Sequence, residues 1–178
     1  MKTNIMGSSY AFPVMATSDA AEAFTMARRL LRLAENRHLT TVDGQVRAAD
    51  EASLRRLAVV VPEGADYLGQ ETPLALEVPE DIAEGTFEEA FVGALGDAPA
   101  WLRWDVGAWP AATFGYRDTE YSGVQIAFNS RDLYFAPPPQ GAESHMLYIC
   151  VGMSDLKRAR WLARQVGLEI LGTPVQSL

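Results

Sequence analysis

The pattern of hydrophobic and polar positions first predicts a helix. Near the N-terminus, apolar side chains recur every three to four residues, a period that indicates a helix over about residues 18–37. Asp19 and Glu22 stand at its start as a capping pair, because an acidic N-cap accepts hydrogen bonds from the free amides of the first turn. Several arginines occupy the other side of this helix, which we interpret as a solvated face.

The next segment is rich in β-branched residues. Asp43 and Gly44 lie between such residues, and this dipeptide supplies the backbone angles of a tight turn, so it predicts a short hairpin. Residues 57–62 form a continuous apolar run that Pro62 bounds. Such a run is typical of a strand buried on both faces.

Shorter elements follow before the middle of the chain. Residues 63–72 have the composition of a loop, and residues 73–79 predict a short strand. A second helix is expected at 86–95, where apolar residues can share one face, and Gly96 is suited to end it.

The region from 99 to 136 has a period of two, which is typical of strands with one buried face. Gly, Pro, Asn and Asp residues interrupt it at three places, as expected of turns. The pattern therefore predicts an antiparallel meander. The side chains assigned to its buried face are Leu102, Trp104, Val106, Phe114, Tyr116, Val124, Ile126, Phe128, Leu133 and Phe135.

The C-terminal part predicts a loop, a strand, a helix and a returning strand. The three prolines of residues 136–144 exclude a continuing strand, because proline has no amide donor. A strand then begins at His145, Ser154 is a suitable N-cap for a helix that Gly167 ends, and Leu168–Leu171 resembles a strand.

These elements favour the α+β class, with a mostly antiparallel sheet and two or three helices packed against it. The length of 178 residues suits a single domain over 1–178. Residues 1–16 are compatible with a loosely ordered N-terminal arm.

Composition limits the partners. The chain carries 15 Lys and Arg against 23 Asp and Glu, and its net charge is −8. This balance repels phosphate backbones and anionic membranes, so we expect neither nucleic acid nor a membrane as a partner. A basic protein partner fits the charge, and a merely soluble acidic surface is the alternative.

The single cysteine, Cys150, excludes an internal disulfide and indicates a reducing compartment. The first twenty residues lack the continuous apolar block of a signal peptide. We therefore expect a cytoplasmic protein.

The candidate binding surface lies on the middle strands. If Leu102 and Trp104 face the core, Trp101, Arg103 and Asp105 face the other way, and partner strands place Arg117 and Gln125 on the same side. Tryptophan and arginine are enriched in binding hot spots. The alternative, equally weighted, is that Trp101 is covered and Arg103 pairs with an acid such as Asp105 or Glu120.

Candidate catalytic residues are few. His145 is a weak candidate for a general base, with Glu143 or Asp155 as its acid partner. Cys150 lies an odd number of positions from His145, so the two side chains point to opposite faces of one strand and cannot form a dyad there. Cys150 is better interpreted as a small buried side chain. The spacing of histidines and cysteine favours no metal site, and no phosphate-binding motif indicates a cofactor.

Three functions remain open. The first is a non-catalytic protein-binding module of a bacterial cytoplasm, such as an inhibitor, an immunity-type protein or a secretion chaperone. The second is a small hydrolase or isomerase that uses His145. The third is a small-ligand sensor with an aromatic-lined cavity.

Overall fold

The α+β class predicted from the sequence is confirmed by the computed structural model of the protein. The structure describes residues 9–48, 50–63, 66–68, 74–111, 122–132, 135, 138, 140–141, 143–152 and 155–176. Within them, nine strands form one antiparallel sheet that is curled into a half-barrel.

The strands follow the chain as β1 (Ser9–Thr17), β2 (Thr41–Ala48), β3 (Asp66–Leu68), β4 (Leu74–Glu77), β5 (Ile82–Ala83), β6 (Ala100–Asp105), β7 (Gly123–Phe128), β8 (His145–Gly152) and β9 (Val175–Gln176). Their order across the sheet is β3-β4-β2-β6-β7-β8-β1-β9, and β5 pairs with β2. Of the meander predicted over 99–136, β6 and β7 are present as antiparallel neighbours, and β8 pairs with β7 beyond that range. The predicted strand residues Phe114, Tyr116 and Leu133 lie outside the described residues, and Phe135 belongs to no strand, with φ of 66°.

The helices are α1 (Ala20–Leu31), α2 (Glu51–Ala58), α3 (Glu88–Ala94) and α4 (Leu156–Gln165), with a short 3-10 turn at Arg37–Leu39. Their apolar residues join one face of the sheet in the main hydrophobic core. We call this side the helix face. We call the other side the open face, because no described helix packs on it, although its central side chains are buried. A small second cluster of Ala11, Ala127, Tyr148 and Cys150 lies on the open face.

Alternation within β6 decides which side chains enter the main core. Leu102 and Trp104 are fully buried on the helix face, which confirms the prediction that Trp104 is a core residue. Phe24 of α1 stacks on Trp104 with the ring centres 6.1 Å apart. The helices thus cover Trp104 and leave Trp101 on the opposite side.

The predicted hairpin at Asp43 and Gly44 is wrong, because both residues lie inside β2. At Gly44, β2 and β6 lie too close together for a side chain. A Cβ atom at this position would lie 2.8 Å from the carbonyl oxygen of Trp101 and equally close to the side chain of Leu102. The backbone angles available to glycine are therefore not used for a turn, and the missing side chain allows β2 to pack against β6.

The predicted buried strand at 57–62 is also wrong. Asp50 caps α2 by accepting a hydrogen bond from the amide of Ser53 at 2.7 Å, and the helix continues to Ala58. Leu54 and Leu57 supply its buried side, whereas Val59 is 84% exposed. The apolar run is the end of an amphipathic helix followed by a turn.

Other boundaries shift at both ends of the chain. The first helix ends at Leu31, well before residue 37, although Asp19 caps it as predicted. Of the loose arm predicted over 1–16, residues 9–16 instead belong to β1, which pairs with β8, and residues 1–8 lie outside the described residues. The predicted second helix is present as α3, and Gly96 follows it with φ of 58°.

At the C-terminal end, the predicted strand and helix are present as β8 and α4. Ser154 lies outside the described residues, and Asp155 is the N-cap, accepting from the amide of Arg158. Leu168–Leu171 is not a strand, and the strand that follows α4 is β9 at Val175–Gln176, which pairs with β1. Among the described residues, no helix combines the length and the apolar character that crossing a membrane requires.

Candidate functional site

The open face of β6 carries the predicted binding residues. Trp101, Arg103 and Asp105 alternate with the core residues of this strand, as predicted. Arg103 lies directly opposite Gln125 on β7 and opposite Asp43 on β2. The register therefore brings Gln125 into the set and adds Asp43, whereas Arg117 lies outside the described residues.

These side chains differ greatly in exposure. Gln125 is fully buried, and only 11% of the Arg103 side chain is exposed. Trp101 is partly exposed, and the Asp105 side chain is 48% exposed. A large partner can therefore touch Trp101 and Asp105 directly, while Arg103 and Gln125 act beneath them.

Arg103 is held by the adjacent carboxylate. Its Nε atom donates to Oδ1 of Asp105 at 2.7 Å, so the ion-pair alternative considered from the sequence is present. Burial alone would lower the pKa of Arg103, but Asp105, Cys150 and Asp43 outweigh it and raise that pKa. Arg103 is thus a fixed cation whose charge Asp105 largely balances.

Asp43 is the unusual acid of the surface. Burial and the nearby Asp105 charge raise its pKa to about 6, although Arg103 acts in the opposite direction. Its Oδ1 atom is buried and has no hydrogen-bond partner in the described part of the chain. Asp43 therefore carries a buried acceptor that the described residues leave unsatisfied.

An acidic cleft adjoins this group. It has a volume of about 220 Å³ and is lined by Thr41, Asp43, Glu80, Asp81 and Asp105. Glu80 and Asp81 are exposed and come from the turn before β5. Among the described residues, no three His, Cys, Asp or Glu side chains come together closely enough to hold a metal ion. The cleft therefore offers separate acceptors for a cationic group.

A buried polar pair lies next to Arg103. The Cys150 thiol is 3.3 Å from Oε1 of Gln125, and Cys150 is fully buried as predicted. Tyr148 lies opposite Gln125, and burial followed by the charge of Asp132 raises the pKa of Tyr148 to about 12. Tyr148 therefore stays protonated near neutral pH, and the three side chains form the floor of the surface.

His145 lies on the helix face, opposite to Cys150 as predicted. Its Nδ1 atom accepts a hydrogen bond from the amide of Asn129 at 3.1 Å, and burial lowers its pKa against the effect of Asp19. The neutral ring thus has one nitrogen engaged in a structural contact. His145 begins β8, whose length to Gly152 is about 23 Å, and Asp155 follows that far end. Asp155 is therefore too distant to act as the acid partner of His145.

The sequence analysis missed the acidic cleft. The sequence pattern predicts a turn at Asp43 and assigns no element to Glu80 and Asp81, so it does not connect these acids with Asp105. The only usable signal was the acid-rich segment after Pro79.

No family model, curated protein or solved structure matches this chain.

Proposed function

We propose that this protein is a non-catalytic binding module of a bacterial cytoplasm that captures a basic protein partner, in the manner of an inhibitor or immunity protein. The binding surface is the open face around Trp101 and Asp105 together with the acidic cleft. The single observation that carries the proposal is the cleft lined by four carboxylates, one of which, Asp43, has a buried oxygen without a partner among the described residues.

The size of the cleft favours a side chain over a free ligand. Its volume of about 220 Å³ is smaller than the roughly 300–1,000 Å³ of small-molecule pockets. A lysine or arginine side chain of a partner would place its charged end beside Asp43, Glu80 and Asp81. Since Asp105 already binds Arg103, these three acids carry the uncompensated charge.

Trp101 would supply the apolar part of the contact. It lies on the same side of β6 as Asp105 and is partly exposed. A partly exposed tryptophan beside fixed charges has the composition of a hot spot. The acidic net charge of the chain would speed the encounter with a basic partner and make the association rate sensitive to salt.

The test is affinity capture from a lysate of the native host with wild type and two variants, Glu80→Lys and Trp101→Ala. Glu63→Lys is the matched control, because Glu63 is exposed and does not line the cleft. We expect one stoichiometric partner that wild type and the control retain and both surface variants lose.

The purified partner is then titrated. Its association rate should fall as salt rises from about 50 to about 300 mM, because screening weakens the attraction. Its affinity should fall as pH is lowered through about 6, where Asp43 becomes protonated. Retention of the same partner by Glu80→Lys and Trp101→Ala, or no partner for wild type at low salt, would contradict the proposal.

A further inference from the structure

We propose that α4 and the segment that follows it form a second docking groove, which takes an acidic peptide segment with apolar anchor residues. The groove lies away from the acidic cleft and has a volume of about 660 Å³. The buried ring of Phe12 from β1 contributes to its lining, together with Leu156, Arg160 and Arg164 of α4 and residues 169–174.

The chain fixes the shape of this groove. Gly167 ends α4 with φ of 77°, and the amide of Leu168 donates back to the carbonyl of Ala163 at 2.9 Å. The amide of Leu171 donates to the carbonyl of Pro13 in β1 at 2.8 Å. These hydrogen bonds fix the positions of α4 and of residues 169–174, which form the two sides of the groove. The groove is therefore preformed before a peptide binds.

Unpaired cations follow one side of α4. Lys157, Arg160 and Arg164 are spaced three and four residues apart, which places them on one stripe of the helix, and all three are exposed. None of them has an ion-pair or hydrogen-bond partner among the residues that the structure describes. By contrast, Arg158 is fully buried and bonds Asp155 and the carbonyl of Pro110.

This stripe is unusual for the chain. The whole protein has a net charge of −8, yet α4 contains four basic residues and no acidic one. Glu169 is the one acid in the groove lining. The local charge is thus opposite to the overall charge and favours an acidic occupant.

Exposed apolar side chains lie beside the stripe. Leu156 is 37% exposed and Leu171 is 56% exposed, and both line the groove. They are two of the four large hydrophobic residues that are exposed in the described part of the chain. Their position together in one groove indicates anchor sites for apolar side chains of a partner.

The groove shape favours a peptide over a membrane. The apolar side of α4 is already used in the core, where Ala159, Leu162 and Ala163 are buried. A planar lipid surface would touch the cations on the rim, whereas a peptide chain can also enter between α4 and residues 169–174. An acidic peptide segment is therefore the occupant that fits this groove.

The test uses fluorescence anisotropy with a dye-labelled peptide of glutamates that carries leucine at every third or fourth position. A second peptide has serine in place of each leucine, and vesicles of phosphatidylserine are the third probe. The 178-residue chain is used as wild type, as Lys157→Gln/Arg160→Gln/Arg164→Gln and as Leu156→Ser/Leu171→Ser. The charge-matched control is Arg29→Gln/Arg32→Gln/Arg131→Gln, whose exposed arginines lie outside the groove.

We expect wild type to bind the leucine peptide, and each groove variant to lose about tenfold or more in affinity. The control should change by less than about twofold. The serine peptide should bind about tenfold more weakly than the leucine peptide. Thermal unfolding confirms that each variant is folded.

Four results would overturn the proposal: no binding of the leucine peptide by wild type, an equal loss in the control, equal binding of the two peptides, or recruitment to vesicles without peptide binding. None of them depends on the acidic cleft. Failure here therefore leaves the basic partner of the open face untouched.

Discussion

The carboxylate of Glu88 accepts a hydrogen bond from the indole Nε1 of Trp104 at 3.2 Å, and both side chains are almost completely buried. The same carboxylate accepts from the amides of Gly85 at 2.8 Å and Phe87 at 3.0 Å. One acid at the start of α3 thus satisfies three donors and joins this helix to β6. That strand carries Trp101, Arg103 and Asp105 on its other face.

Replacing Glu88 with Ala should lower the free energy of unfolding by about 3 kcal/mol, because it leaves buried donors without an acceptor. Urea unfolding measures the loss. Glu89→Ala removes an equal charge from the neighbouring exposed position and should stay within about 0.5 kcal/mol of wild type. Equal stability of the two variants would show that the Glu88 contacts do not hold α3 to β6.

A second prediction concerns the close approach of β6 and β7. A Cβ atom at Gly123 would lie 2.2 Å from the carbonyl oxygen of Trp104, which is too close for either strand to keep its place. Gly123→Ala should therefore cost about 2 kcal/mol or more. Gly93→Ala is the control: no atom lies within 4 Å of its Cβ position in α3, and it should stabilise by about 0.5–1 kcal/mol. A stable Gly123→Ala protein would refute this register.

Asp43 makes stability depend on pH. Its pKa rises from 3.8 to about 6 on folding, so the folded state holds a proton that the unfolded state releases between these values. The contribution of Asp43 to the free energy of unfolding should therefore fall as pH rises from about 4 to about 6. Asp43→Asn should be more stable than wild type at pH 7, by about 1–2 kcal/mol after allowance for solvent at this partly exposed group. This gain should vanish near pH 4, and a gain that is constant with pH would contradict the assignment.

His145 affects the pH dependence of stability in the opposite direction to Asp43. Burial lowers its pKa below 6.5, so the folded state resists protonation, and its contribution to stability is complete above pH 6.5 and is lost as pH falls. In the Asp43→Asn background, His145→Gln should reduce the fall in the free energy of unfolding that occurs as pH drops below 6.5. A pH titration of wild type by proton NMR should give a titration midpoint below 6.5 for the His145 imidazole. The His145 resonance is the one that is missing from the spectrum of the His145→Gln variant. A midpoint above 6.5 would mean that the ring is charged in the fold.

Periodicity predicted the parts of the fold that depend on local sequence. The alternation of β6 put Trp104 in the core and Arg103 on the other face, and the strand-helix order of β8 and α4 was also found. These elements bury one face each, so their side-chain period carries the needed information. For the same reason, the surface of Trp101, Arg103, Asp105 and Gln125 could be assembled in part from the sequence.

Local sequence gave the wrong result where a residue's role depends on a distant neighbour. Asp43 and Gly44 have the composition of a turn, yet the approach of Leu102 and the backbone of Trp101 requires glycine within β2. Val59, Val60 and Val61 resemble a buried strand, yet Asp50 starts a helix before them. In both cases, tertiary packing decided between two local structures of similar propensity.

The sequence by itself determined the α+β class, the strands β6 and β7 and the division of β6 into a core side and a polar side, because hydrophobic periodicity is encoded within each element. Only the tertiary structure decided that the helices cover the Trp104 side, that Glu88 reaches Trp104 and that Asp43, Glu80 and Asp81 join Asp105. Those relationships link residues far apart in the chain. They follow from strand register and helix packing, which no local pattern specifies.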